Sequence, residues 1–94
     1  MFSWDEAKNR SNQKKHDVSF EAATLVFEDP HQLSRLERVV EGEERWQTVG
    51  NAGGIVLLLV VHTWREGPAS EEQIRIISAR RANKLEREFY EEGA

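Results

Sequence analysis

Ile55-Val56-Leu57-Leu58-Leu59-Val60-Val61-His62-Thr63-Trp64 decides the fold. Its first seven residues are leucine or β-branched and show no polar alternation, the texture of a central strand buried on both faces. A run of that length falls far short of the roughly 20 apolar residues a membrane-spanning helix needs. Asn51-Ala52-Gly53-Gly54 supplies a turn before it, and Glu66-Gly67-Pro68-Ala69-Ser70 a loop after it. Upstream, Gln32–Val40 and Glu43–Val49 read as strands joined by a turn at Glu41-Gly42. Downstream, Ser70-Glu71-Glu72-Gln73 fits a helix capping box, but the β-branched Ile74-Arg75-Ile76-Ile77 behind it reads as a strand. Strands in succession with short connections pair antiparallel, so the expectation is a meander of about four strands with Ile55–Val61 in its interior.

The flanks are helical. Phe2-Ser3-Trp4 reads as a short N-terminal strand, and Asp5 as the N-cap of a helix over residues 6–16 that is almost bare of apolar side chains. Asp17-Val18 breaks it, and Ser19 caps a second helix over Phe20–Phe27 that ends at Asp29-Pro30. Ser78 is expected to cap a last helix over Ala79–Glu91. The reading is one α+β domain spanning 1–94, with two N-terminal helices and one C-terminal helix covering one face of the sheet.

Composition narrows the class. With 13 basic and 17 acidic residues the net charge is −4, which argues against a tight, unaided nucleic-acid binder. The distribution softens this: Arg75–Arg87 holds five cations against one acid, and the acids gather in Glu41–Glu44, Glu66–Glu72 and Glu86–Glu92. The chain has no cysteine, which removes any disulfide framework and points to a reducing, cytoplasmic setting. Met1–Glu6 lacks the basic and apolar segments of a signal peptide, and no membrane association is expected. The three histidines lie at no metal-ligand spacing and no nucleotide-binding motif occurs, so neither a metal nor a cofactor is expected.

Three blocks carry a resemblance. Lys15-His16-Asp17-Val18-Ser19-Phe20-Glu21-Ala22-Ala23 with Val26-Phe27-Glu28-Asp29-Pro30 resembles the "KHGVSFEEA…VFxD" segment of the BrnT toxin family. Glu44-Arg45, Gly50 and Val60-Val61-His62-Thr63-Trp64-Arg65 resemble its "ExR…G…VVxTxR" meander. Ile74-Arg75-Ile76-Ile77-Ser78-Ala79-Arg80-Arg81-Ala82, with Glu86 and Tyr90, resembles its "RIISARxAxxxExxxY" ending. The resemblance implies a RelE-like fold and a type II toxin–antitoxin ribonuclease that cuts RNA endonucleolytically, without a metal, to arrest growth. It implies a BrnA-like ribbon-helix-helix antitoxin as partner, with DNA contacted only through that antitoxin. Asp17 departs from the pattern, standing where the family has glycine; Asp tolerates the left-handed conformation such a position requires.

Metal-free RNA cleavage needs a base for the 2′-hydroxyl, an acid for the leaving 5′-oxygen and cations on the phosphoryl oxygens. The expected catalytic set is Arg65, Arg80 and Arg45, whose planar forks suit phosphate, with Glu44 or His16 for proton transfer. Arg75, Lys84 and Lys8 are expected to hold RNA phosphates. Glu44 and Arg45, as strand neighbours, face opposite sides unless a bulge intervenes. His62 shares a face with Trp64 rather than Arg65, which favours a structural role, and His31 reads as a loop residue. Each arginine can alternatively serve an ion pair with Glu43, Glu44 or Glu86. The competing function is a catalytically inactive, antitoxin-binding subunit that takes part in operon control.

Overall fold

The computed structural model describes residues 1–93. Strand β1 (Phe2–Ser3) leads into helix α1 (Glu6–His16), helix α2 (Phe20–Thr24) and a 3₁₀ turn over Leu25–Glu28. Strands β2 (Leu33–Val40), β3 (Glu43–Ala52), β4 (Val56–Glu66) and β5 (Glu72–Arg81) follow, and helix α3 (Lys84–Gly93) ends the chain. The sheet order is β1-β5-β4-β3-β2, with β2 to β5 antiparallel and β1 added parallel to β5. β4 is interior, as its apolar run requires: Leu58, Leu59 and Val60 are all buried, so neither face of the strand meets water there.

Local chemistry explains the helix ends. The Asp5 carboxylate accepts hydrogen bonds from the N–H groups of Ala7 and Lys8, and the Ser19 hydroxyl accepts from Ala22 N–H. Asp17 closes α1 in the left-handed region (φ 57°, ψ 33°), donating its N–H to Gln13 O, so aspartate does the work of the expected glycine. The thin stripe of α1 is not apolar at all, for its buried residues are Asn9 and Asn12. Asn12 Nδ2 donates to Val18 O (2.8 Å) and Ala79 O (2.7 Å), while its Oδ1 accepts from Ala79 N–H (3.2 Å). One side-chain amide thus pairs with β5 as a neighbouring strand would. Asn9 Oδ1 accepts from Phe20 N–H at 2.8 Å and fixes α2 against α1.

Two expectations are corrected. The last helix does not begin at Ala79: β5 runs on to Arg81, held by the pairs Val60↔Ala79, Leu59↔Arg80 and Leu58↔Arg81, and α3 starts at Lys84. Ser78 is therefore a strand residue, and the true cap is Asn83. Its Oδ1 accepts from Glu86 N–H at 2.9 Å while Glu86 Oε1 accepts from Asn83 N–H at 2.9 Å, a reciprocal capping box. Nor do the helices share one face. Phe20, Ala23 and Val26 pack with Leu58, Val60, Ile74, Ile76 and Ala79 on what we term the α1–α2 face. Val49, Leu59 and Ala82 pack with Leu33, Leu57 and Tyr90 on the α3 face. A strand apolar on both sides needs cover on both, and α3 provides the second; each fully buried side chain such as Phe20 or Leu58 contributes about 1.5–3 kcal/mol.

Candidate active site

Two β-bulges organise the α3 face. In β2, Leu36 pairs with Trp46 and Arg38 with Arg45, leaving Glu37 as the extra residue. In β5, Ser78 pairs with Val61 and Ile76 with His62, leaving Ile77 extra. Simple alternation would put Arg35 and Arg38 on opposite faces, and likewise Arg75 and Arg80. Each bulge shifts the phase by one residue and returns the pair to a common side. With Arg45 and Arg65, this gathers six of the chain's nine arginines on the α3 face.

α3 covers only one end of that face. At the other end Ser3, Thr63, Arg65, Gln73 and Arg75 line a cleft of about 240 Å³. Arg38 lies beside Arg45 across β2–β3, and Thr63 beside Arg75 across β4–β5. Glu43 reaches into this field: its Oε2 accepts from Arg65 Nη2 at 3.0 Å, and its Oε1 stands 3.9 Å from Arg45 Nε. Arg45 Nε is buried and has no hydrogen-bond partner. Arg75 takes part in no ion pair among the described residues.

Arg80 is differently placed. Its guanidinium meets Glu86 of α3 through two hydrogen bonds of 2.8 Å. Those hydrogen bonds from Arg80 hold the Glu86 carboxyl below the ordinary carboxylate range despite its partial burial. At the far end of α3, Tyr90 Oη donates to Asp29 Oδ2 at 2.7 Å, and the same oxygen accepts from Asn51 N–H at 2.7 Å. Burial by itself would raise the Asp29 carboxyl, but the hydrogen bonds from Tyr90, Asn51 and His31 together outweigh it and lower it. α3 is thus tied to the sheet at both ends.

The family described as "Ribonuclease toxin, BrnT, of type II toxin-antitoxin system" matches residues 4–86. The chain belongs to the BrnT family. A solved relative in fold is the crystal structure of the Brucella abortus ribonuclease toxin BrnT, superposing with a TM-score of 0.60 at 23% identity over 89% of this chain and 99% of that one. No curated protein sequence matches the chain. As a type II toxin of the BrnT family, it has an antitoxin as its partner. No helix among the described residues is long and apolar enough to cross a membrane.

Within this BrnT-family fold, the residues nominated from sequence separate into three groups. Arg45, Arg65 and Arg75 share the open end of the α3 face, and Arg80 lies further along it under α3. Arg80 stands on strand β5 and not in the first turn of the last helix, where a start at Ala79 would have put it. Glu44 lies on the opposite face, beside Val39 in the register, and its neighbour Glu43 takes the place beside the arginines. His16 and Lys8 ride on α1 and Lys84 on α3; none of the three makes a hydrogen bond or ion pair to these arginines.

His62 is structural, as strand alternation indicates. It is fully buried on the α1–α2 face, with Nε2 2.6 Å from Thr48 Oγ1 and the ring edge-on to Phe27 at 4.9 Å. Burial pushes its pKa below the ordinary histidine value, so it is held neutral. Sequence reasoning missed Arg35, Arg38 and Glu43. The spacings Arg35/Arg38 and Arg75/Arg80 are the only hints, and they become legible once a bulge is placed between each pair. Among the described residues no cluster of three or more His, Cys, Asp or Glu side chains is arranged to hold a metal.

Proposed function

We infer that the open end of the α3 face binds and cleaves single-stranded RNA endonucleolytically without a metal ion. The observation carrying this is the pair of bulges that re-phase Arg35/Arg38 and Arg75/Arg80 onto one face, since bulges recur where a strand must re-aim side chains for function. Strand stability alone gives no reason to set Arg38 directly opposite Arg45, because like charges facing each other across strands are destabilising.

The geometry fits in-line transfer. The ribose 2′-oxygen attacks phosphorus, the bond to the 5′-oxygen breaks, and a 2′,3′-cyclic phosphate and a 5′-hydroxyl result. Arg45, Arg65 and Arg75 bind the non-bridging oxygens and stabilise the charge that grows on them. Glu43, between Arg45 and Arg65, accepts the 2′-hydroxyl proton, and water protonates the leaving oxygen. Arg80, engaged by Glu86, holds α3 in place. The antitoxin, a ribbon-helix-helix protein in this reading, silences the toxin by denying RNA this face, and DNA is contacted through the antitoxin.

Incubating the purified chain with single-stranded RNA in EDTA tests this. Cyclic-phosphate products that disappear in Arg65→Ala support it; intact RNA refutes it. Internal carboxylates already engage Arg65 and Arg80, and this favours a second reading, a non-catalytic antitoxin-binding subunit. Intact RNA together with a stable antitoxin complex would establish that alternative.

A further inference from the structure

The charge that makes the chain acidic overall is not spread evenly. Beyond the 3₁₀ turn the α1–α2 face is bare, and it carries a different chemistry from its reverse. Leu36 and Val39 of β2, Trp46 of β3, Trp64 of β4 and Phe2 of β1 all project there by register. Leu36 is 46% exposed, Val39 57% and Trp64 38%. The two tryptophans meet edge to face at 5.8 Å, and His62 links Trp64 to Phe27. Glu44, Glu66 and Glu72 flank them on the same face, and none of the three takes part in an ion pair among the described residues. Of the lysines and arginines in β2–β5, only Arg81 falls on this face, at its far end beside Asp17, Val18 and Leu58.

A contiguous apolar patch of this kind on a small protein marks an interaction surface, and tryptophans are favoured anchors in such surfaces. The acidic rim selects the occupant. A second copy of the chain would bring Glu44, Glu66 and Glu72 against their own kind, and RNA would bring phosphate against them. We propose that this face is the anchoring site for the antitoxin, engaged by an amphipathic segment whose apolar side chains cover Trp46, Trp64, Leu36 and Val39 and whose Lys or Arg side chains meet Glu44, Glu66 and Glu72. It rests on the family's antitoxin partner and not on the cleavage chemistry; the two faces meet at the end of the sheet, where Val39, Glu44 and Trp64 share a cleft with Glu43 and Arg65. That shared cleft lets the bound antitoxin chain reach the arginines at the end of the sheet.

The test uses the full chain and its cognate antitoxin, with binding followed by tryptophan fluorescence and by copurification. Wild type should show a blue-shifted emission on complex formation, and the shift should shrink in Trp64→Phe. Leu36→Asp and Glu66→Lys, both at exposed positions, should each bind the antitoxin at least tenfold more weakly while keeping their melting temperature and their RNA cleavage. Affinity unchanged in the Leu36→Asp/Glu66→Lys double variant would overturn the proposal. So would a chain that sediments alone as a dimer and becomes monomeric on Leu36→Asp, since the face would then serve self-association. Loss of RNA cleavage in these folded variants would overturn it too, by assigning the face to RNA. If wild type cleaves no RNA, the catalytic reading falls and the binding measurement still decides this one.

Discussion

Arg80 and Glu86 face each other fork to fork, Nη1 to Oε1 and Nη2 to Oε2, joining β5 to the first turn of α3 at 2.8 Å on both arms. The same Glu86 oxygen that receives Nη1 also accepts Asn83 N–H, so one carboxylate holds both the helix cap and the strand. Arg80→Ala should therefore lower stability by about 1 kcal/mol, a modest figure because the guanidinium is partly exposed. Chemical denaturation measures it. Cleavage in this variant should fall only as far as the folded fraction does. A loss of activity on the order of 10²–10³-fold in a stable protein would instead place Arg80 on the scissile phosphate.

Arg65 makes the opposite forecast. Its side chain is 64% exposed and its one carboxylate partner, Glu43, lies on the surface. Arg65→Ala should change stability by less than about 1 kcal/mol and reduce cleavage on the order of 10²–10³-fold. Arg65→Lys should recover little, because a compact ammonium cannot span two phosphate oxygens. Single-turnover rates and melting curves on the same samples check both halves.

For Glu43, removing the charge without the shape is informative. Glu43→Gln should lower kcat on the order of 10²–10⁴-fold, because an amide cannot accept the 2′-hydroxyl proton. An unchanged kcat, with only KM altered, would show that Glu43 positions Arg65 and takes no proton.

Burial gives His62 a pH signature in stability. Its folded pKa lies below the ordinary value of 6.5, so the unfolded chain binds the proton more readily and acid favours unfolding. The contribution is fully present above about pH 6.5 and is lost as pH falls below it. Wild type should show a melting temperature that declines from pH 7 to pH 5. His62→Gln, which keeps an amide near Thr48 and does not titrate, should show a shallower decline. Equal slopes would remove His62 as the source.

At Gly50 an added Cβ would sit 2.8 Å from Val26 Cγ1 and 3.2 Å from Val26 O. The 3₁₀ turn packs directly on β3 there, and Gly50→Ala should destabilise by about 1–3 kcal/mol through overpacking. Denaturant titration would show it as a lower midpoint with an unchanged slope.

The sheet was legible because Ile55–Val61 admits one reading, and its neighbours follow from turns and pairing rules. The last helix was misplaced because Ser78-Ala79-Arg80-Arg81 is compatible with a helix; its extended state is imposed by Leu58, Leu59 and Val60 across β4 and by the Asn12 amide reaching Ala79. Those are tertiary effects without a local trace. The correct start did leave one, since Asn83-Lys84-Leu85-Glu86 has the spacing of a capping box. Arg65 stood out from the sequence, whereas the common face of Arg75 and Arg80 stayed hidden because a bulge changes the parity of every residue after it. The same parity rule identified Glu44 as facing away from Arg45, yet did not by itself bring Glu43 forward.

β1 lies parallel to β5, so Phe2 finds its partner only at Ile74, on the far side of the whole β2–β3–β4 meander in sequence. Closing so long a loop is slow beside forming the β2–β3–β4 meander, whose strands pair with their neighbours in sequence. Leu36, Val39, Trp46 and Trp64 all belong to that early meander, whereas the cleft at Arg65 still lacks Arg75 and the Ser3 wall. The folding chain therefore assembles its aromatic surface before its arginine cleft is complete, and a partner that recognises that surface can engage the toxin before the cleft exists.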